Sequence, residues 1–343
     1  RDKIENEYQE LLKFIADLED ILARPERVIE IIKTELNDVR TKFGDARRTE
    51  LLVGEVLSLE DEDLIEEEEV VITLTNNGYI KRMANSEFRA QRRGGRGVQG
   101  MGVHDDDFVK NLVSCSTHDT LLFFTNTGKV YRAKGYEIPE YGRTAKGIPV
   151  INLLGIDSAE KIQAIISVEG KAEAGKYLFF TTLKGTVKRT AVTAFSNIRS
   201  NGLIAISLKE DDELVNVVTT NGNQKMIIGT HAGYSVTFDE NTVRDMGRTA
   251  SGVRGIRLRE NDYVVGAAIL DENKEVLVIT ENGYGKRTKA SEYPVKGRGG
   301  KGIKTANITE KNGPLAGLTT VNGDEDILLI TNKGVIIRFN RSE

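Results

Sequence analysis

Tryptophan is absent from this 343-residue chain, and cysteine occurs once, at Cys115. A lone thiol excludes a disulfide within the chain and fits a reducing compartment. No apolar run approaches the roughly 20 residues of a membrane-crossing helix, and the opening RDKIENEYQE does not read as a secretion signal. These absences point to a soluble, cytoplasmic protein. The chain opens inside a helical pattern without an initiator methionine, which reads as a piece of something larger. Aromatic residues make up 6%, which argues against the anchors of a protein-docking propeller and the stacking platforms of a sugar-processing one. Histidine is equally scarce: His104, His118 and His231 are scattered and, with one cysteine, make no zinc spacing. Asp105, Asp106 and Asp107 beside His104 read as a solvated acidic turn, and Cys115, inside an apolar run, reads as core. No G-x-x-x-x-G-K-[ST] stretch, paired carboxylates or Ser/His/Asp arrangement stands out. Catalysis has little support, and neither a metal nor a cofactor is expected in this chain.

The net charge of −4 conceals a division. Residues 1–50 carry 10 basic and 13 acidic side chains; the following LLVGEVLSLEDEDLIEEEEV carries 9 acidic and none basic. Residues 71–343 hold 38 Lys+Arg against 30 Asp+Glu. An acidic strap thus joins a helical start to a basic body, and such asymmetry suggests a polyanionic partner for the body. The strap, EDEDLIEEEE at 60–69, is expected to compete with that partner for the basic surface.

The pattern divides the chain into a helical stalk (1–50), an acidic linker (51–69) and a repeat domain (70–343). In the stalk, Ile4, Tyr8, Leu11, Ile15, Leu18 and Leu22 recur at helical steps. Pro25 interrupts this stripe, and a second follows through Ile29, Ile32, Leu36, Val39 and Phe43 before Gly44. Two helices are predicted, packed on each other or on a partner.

Beyond residue 70 the period changes and the chain repeats. VVITLTNNGYIKR (70–82), LLFFTNTGKVYR (121–132), YLFFTTLKGTVKR (177–189), KMIIGTHAGYSVTF (225–238), EVLVITENGYGKR (275–287) and ILLITNKGVIIR (327–338) align on glycines spaced by about 50 residues. Each copy reads as a β-hairpin with a glycine turn, most of them ending in a basic residue. Between hairpins lies a second element, a glycine-rich basic loop leading into another strand: RAQRRGGRGVQGM, EYGRTAKGIPVINL, SNIRSNGLIAISL, DMGRTASGVRGIRL and VKGRGGKGIKTANI. A unit of this size with about four short strands is one propeller blade. The sequence ends at RFNRSE, before a sixth loop and its strand, so the sixth blade is expected to be incomplete.

The stretch QRRGGRGVQGMG (91–102) satisfies G-x-G-x-x-G through Gly95, Gly97 and Gly100. A dinucleotide turn needs an amphipathic helix next, and none follows; the spacing also recurs at Gly297, Gly299 and Gly302 in another repeat. The loop therefore reads as a repeated structural element that carries arginines.

The heptad QRRGGRG (91–97), in the first of six repeats, resembles the gyrase A box of the A subunits of bacterial DNA gyrases. The likeness runs the length of the chain: residues 1–50 resemble the end of that protein's coiled-coil arm, GDARRTEL (44–51) the junction, and 70–343 the C-terminal β-pinwheel. It implies a mainly β, six-bladed, propeller-like disc preceded by two helices. It also implies a non-catalytic domain that wraps double-stranded DNA of any sequence in a positive sense, so that strand passage elsewhere in the enzyme introduces negative supercoils. Implied partners are that DNA, the gyrase B protein and the rest of the gyrase A protein, in a bacterial cytoplasm at the nucleoid and away from membranes. ATP and Mg²⁺ would act elsewhere in the holoenzyme. The family's nucleophile is a tyrosine preceded by arginine, and none of the ten tyrosines here follows one. The alternatives are the related domain of topoisomerase IV, which lacks an intact heptad, and a protein-docking propeller.

Wrapping of arbitrary DNA needs phosphate contacts from Arg and Lys on a curved surface, with glycine admitting close backbone approach. The candidates in repeat one are Lys81, Arg82 and the heptad Gln91, Arg92, Arg93, Gly94, Gly95, Arg96 and Gly97. Repeat two offers Arg132, Arg143 and Lys146; repeat three Lys188, Arg189 and Arg199; repeat four Arg248 and Arg254; and repeat five Lys286, Arg287, Arg298 and Lys301.

Overall fold

The computed structural model describes residues 2–45, 61–84, 98–99, 107–142, 144–168, 175–322, 326–330 and 335–340. Two compact units emerge, residues 1–59 and 60–343. In the first, α1 (Asp2–Ala23) ends at Arg24, whose backbone is extended (φ −122°, ψ 99°), and α2 (Pro25–Phe43) starts on the proline ring's fixed φ. Across this corner Arg27 pairs with Asp17 and Asp20, each at 2.5 Å. The Arg24 guanidinium beside Asp20, helped by Arg27, holds the Asp20 carboxyl below its usual range. Neither helix buries a residue. The predicted stripes exist as amphipathic faces, and they stay exposed.

The second unit repeats a four-strand pattern. Repeat one supplies β1 (Glu69–Thr75), β2 (Tyr79–Ala84), β3 (Val98–Gln99) and β4 (Val109–Ser116); repeat two β5 (Thr120–Thr125), β6 (Lys129–Lys134), β7 (Ile148–Pro149) and β8 (Ile162–Val168). Repeat three supplies β9 (Tyr177–Thr182), β10 (Thr186–Ala191), β11 (Leu203–Ile204) and β12 (Leu214–Thr220); repeat four β13 (Lys225–Thr230), β14 (Tyr234–Asp239), β15 (Val253–Arg254) and β16 (Val264–Leu270). Repeat five supplies β17 (Glu275–Thr280), β18 (Gly285–Lys289), β19 (Ile303–Lys304) and β20 (Leu315–Val321), and repeat six β21 (Asp326–Ile330) and β22 (Val335–Asn340).

The antiparallel sheets run β4-β1-β2-β7, β8-β5-β6-β11, β12-β9-β10-β15 and β16-β13-β14-β19, then β20-β17-β18 and β21-β22-β3. Each blade has a three-stranded antiparallel sheet from one repeat, with the repeat's first strand in the middle between its second and its last, and in four of them a fourth strand comes from the next repeat's glycine-rich loop. Five repeats build such a three-stranded sheet; the sixth supplies only a hairpin. The described residues therefore make five blades and not six, and β3 of repeat one lies beside that hairpin, with Gln99 opposite Val335.

Local chemistry sets each turn. Thr75 Oγ1 accepts the Tyr79 N–H at 3.1 Å, Thr182 that of Thr186 at 3.1 Å and Thr280 that of Tyr284 at 3.2 Å, while Gly78 supplies the turn's φ of +84°. Asp107, which the sequence places in a solvated turn, is instead 1% exposed, and its Oδ1 accepts the N–H groups of Asn77 and Phe108. Asp212 does the same for Lys184 and Glu213, and Asp262 for Ala232 and Tyr263.

The core consists of apolar layers between successive sheets, each drawing residues from two neighbouring repeats. Phe124, Phe180 and Phe195 meet in the layer between repeats two and three. A blade is thus covered on both faces, and alternation along a strand does not place one set of side chains in water. Among the described residues no helix is long and apolar enough to cross a membrane.

Cys115, on β4, is 4% exposed in the first layer, as the sequence predicts. Burial, with Asp119 and Glu69 adding, pushes its thiol up to about 12. A thiol raised in this way contributes stability that is present below the unfolded value of about 8.5 and lost as pH climbs toward 12. At pH 8 the folded chain is expected to react with iodoacetamide slower than the unfolded chain by on the order of 10³. Labelling followed by mass spectrometry checks this, and equal rates would remove Cys115 from the core.

Candidate nucleic-acid interface

The basic loops reach the interface by lying on the preceding blade. Ile148 pairs with Ile80, and Val253 with Val187, so β7 and β15 become edge strands beside β2 and β10. Gly147 (φ +79°) and Gly252 (φ +90°) permit it, since a Cβ there would stand 2.3 Å from the Ile80 carbonyl oxygen and 2.5 Å from that of Val187. These glycines serve approach to the protein's own backbone.

Two predicted phosphate contacts are interior. Lys81 is 0% exposed, and its Nζ donates to the carbonyls of Gly142 (3.1 Å) and Ala145 (2.9 Å) in the loop of repeat two. Lys188, also 0% exposed, donates to the carbonyls of Ala205 (2.5 Å) and Arg248. Its ammonium is pushed down to about 8, chiefly by burial and further by Arg248. Arg189 is 8% exposed, stacks over Tyr177 and donates to Asn241 Oδ1 at 3.2 Å, with Glu240 at 3.8 Å. Arg82, half-buried, reaches Glu140 at 3.5 Å. All four bind the protein itself, because a hairpin end that the next loop covers is not a solvent edge.

Other candidates face outward. Arg132, Arg199, Arg254, Lys286, Arg287 and Lys301 are exposed, while Lys146, Arg248 and Arg298 are half-buried. Lys146 Nζ sits 3.7 Å over the Tyr79 ring. Arg132 and Arg199 share a cavity of about 510 Å³ with Lys134 and Tyr136. Ile198, not Arg199, stands where Arg248 stands in repeat four, counting back from Gly202 and Gly252. Arg143 and the heptad residues Gln91, Arg92, Arg93, Gly94, Gly95, Arg96 and Gly97 lie outside the described residues.

Successive loops touch. Gly155 packs on the Ser200 carbonyl, and the Ser207 N–H donates to Ala250 (3.4 Å). The Arg257 N–H donates to Gly300 (2.8 Å), and the Gly299 N–H to Gly255 (2.7 Å). Between repeats four and five, Arg298 donates to the Arg254 carbonyl (2.6 Å), and Arg259 to the Lys301 carbonyl (2.8 Å) while stacking on Tyr234. The loops of repeats two to five thus form one belt with an arginine and lysine cluster at its later end. Sequence reasoning missed Arg257, Arg259 and Lys296, which belong to this cluster; their signal was adjacency to the loops in VRGIRLRE and YPVKGRGG.

The acidic strap meets the same unit. Glu62 pairs with Lys134 at 2.6 Å, and His118 Nε2 donates to the Ile65 carbonyl at 2.9 Å. Thr117 Oγ1 donates to the Glu66 carbonyl and accepts the Glu68 N–H. Glu62 thereby reaches one wall of the cavity that holds Arg132 and Arg199.

This architecture has relatives. The chain is 70% identical over 340 residues to the DNA gyrase A protein of Streptococcus pyogenes and 54% identical over 342 residues to that of Staphylococcus epidermidis. Each match takes in 99% of this chain but only 41% and 38% of the relative, so the chain spans well under half of these proteins. Among solved structures, a DNA gyrase A C-terminal domain matches with a TM-score of 0.70 at 29% identity, covering 79% of this chain and 89% of that one. The C-terminal domain of a DNA topoisomerase IV matches at 0.63 and 28%, covering 81% and 85%. The family model described as DNA gyrase C-terminal domain, beta-propeller, matches residues 69–116, 119–169, 176–221, 224–271, 274–322 and 325–343, most of the chain, and the chain belongs to that family.

Proposed function

We propose that this chain is the DNA-wrapping part of a gyrase A protein: it binds duplex DNA of any sequence along the belt of loops and bends it with positive handedness, without cutting it. The observation that carries this reading is the loop-to-loop contact that joins Arg254, Arg257, Arg259, Arg298 and Lys301 into one basic surface. Such a surface addresses phosphates and leaves base edges unread. The six matched repeats support a six-bladed ring completed around the sixth hairpin, which β3 already joins. Partners in this reading are duplex DNA, the gyrase B protein and the remainder of the gyrase A protein, in the bacterial cytoplasm; ATP and Mg²⁺ act outside this chain. The likeness to a topoisomerase IV domain favours a second reading, in which the belt bends DNA without supercoiling it. The heptad, intact at 91–97, favours gyrase.

Binding is expected to weaken by roughly 10³ or more between about 50 and 200 mM salt if six or more phosphates are engaged. Fluorescence anisotropy with a short mixed-sequence duplex measures this, and a salt-independent affinity contradicts the proposal. Closing relaxed circles in the presence of the chain separates the two readings: a shift toward positive writhe is expected of wrapping, and none of simple bending.

A further inference from the structure

We propose that Lys81 and Lys188 are positioning residues: buried ammonium clamps that hold the loops of repeats two and four in the conformation that presents their arginines to DNA. The inference rests on the DNA-binding reading above. Each side chain leaves the second strand of one hairpin and reaches the next repeat's loop at the peptides around its arginine. Lys81 takes the carbonyls of Gly142 and Ala145, on either side of Arg143, and Lys188 takes the carbonyl of Arg248 itself. An ammonium offers three donors and cannot be matched by an apolar side chain of like length. Its burial is unfavourable, as the low affinity of Lys188 for its proton records, so packing alone does not account for it.

The loop sequences carry an independent mark of the same device. The clamp position is the third residue after the turn glycine. It is lysine at Lys81, Lys188 and Lys286: the loop of the repeat after Lys81 reads GRTAKG and that after Lys188 reads GRTASG, while Lys286, in repeat five, is exposed and has no such loop over it among the described residues. Where it is Tyr131, the next loop reads IRSNG; where it is Val236, GRGGKG. Ile337 holds the position in repeat six, whose hairpin pairs with β3, and the loop leading into β3 reads RRGGRG. Loop type follows the residue beneath it. Under the loop of repeat five the short Val236 leaves a cavity of about 170 Å³ that Gly297, Gly300 and Lys301 also line. The belt therefore combines two loops fixed before DNA arrives with loops that lack the clamp, and fixed donors lose less freedom on binding.

The test uses the whole chain carrying Lys188→Met. Amide hydrogen exchange across residues 247–252 is expected to quicken, with exchange across 297–302 unchanged as the internal reference. Affinity for a short mixed-sequence duplex should fall roughly three- to tenfold, and the salt slope should shrink by about 0.9, the loss of one phosphate contact. A second measurement needs no variant. The groups facing the Lys188 ammonium are the Phe180 ring from β9, the Ala205 carbonyl from the segment after β11, and the carbonyl of Arg248 from the loop, whose guanidinium repels it. The lysine is charged below about 8 and neutral above it, so wild-type affinity should decline about threefold between pH 7 and 9, and the Met variant should lack that decline. Unchanged exchange at 247–252 overturns the clamp. Faster exchange with unaltered affinity, salt slope and pH profile overturns its role in DNA contact. If the wild-type chain binds no duplex, the proposed function fails, and the exchange result still decides whether the clamp exists.

Discussion

Replacing Arg92, Arg93 and Arg96 together by alanine is expected to leave binding of short linear duplex within about tenfold of wild type, about 1.4 kcal/mol, while abolishing the shift in topoisomers. The three arginines are a minority of the proposed phosphate contacts, so most of the electrostatic attraction is expected to survive their loss. Bending depends on them differently. Curving DNA around a protein costs several kcal/mol and is offset only while contacts persist to the end of the path. The heptad directly precedes β3, and β3 pairs with β22 of the sixth repeat. Among the described residues the belt runs through the loops of repeats two to five, so the heptad stands in the chain where the first and last repeats meet. In the proposed wrapping, contacts from the heptad would decide whether the DNA closes its turn and traps a crossover. In a full-length gyrase A protein assembled with its gyrase B partner, the triple substitution should abolish negative supercoiling and spare relaxation. Normal supercoiling by that enzyme would show that the heptad is a structural loop only.

The parts of this molecule that are legible in the sequence are those whose chemistry is local. A β-branched run, a threonine and a turn glycine specify each hairpin within about 15 residues, and six such hairpins are readable from their spacing alone. The fourth strand, in the four blades that have one, is not, because its partner lies a whole repeat away: β7 on β2, β15 on β10. The basic ends of the hairpins mislead for the same reason. Lys81, Lys188 and Arg189 sit at hairpin ends, where an uncovered sheet would leave them in water; Lys188 and Arg189, consecutive in β10, point to opposite faces, and both faces are covered here. Asp107 misleads because three consecutive aspartates look like a charged surface, and only the fold reveals that the last of them holds the turn at Asn77. Lys301, Arg254 and Arg199, by contrast, are exposed as expected, since each lies within or just beyond the loop itself. Charge inside a covered edge became structure, and charge on the covering loop stayed available.

Gly252→Val is expected to destabilise the second unit by about 2–6 kcal/mol, the sum of two independent costs. The first is conformational. Gly252 has φ +90°, where a β-branched residue is strained by roughly 1–3 kcal/mol. The second is steric: a Cβ would stand 2.5 Å from the Val187 carbonyl oxygen and 3.0 Å from the Thr186 methyl group. Both belong to β10, whose backbone is fixed by its ladder to β9, so the loop must move away, at a further cost of about 1–3 kcal/mol. Moving it parts β15 from β10 and pulls the Arg248 carbonyl from Lys188. Gly247→Ala is the matched control in the same loop. A Cβ at Gly247 meets nothing within 4 Å, and its effect should stay within about 0.5 kcal/mol. Urea denaturation of the two variants beside wild type measures the difference as a shift in midpoint at similar slope. The duplex affinity of Gly252→Val should drop with its stability even where the chain is folded, because Arg248 and Arg254 flank the displaced residue. Equal midpoints for the two variants would show that the loop is not seated on β10, and the glycine would then belong to the DNA side of the belt.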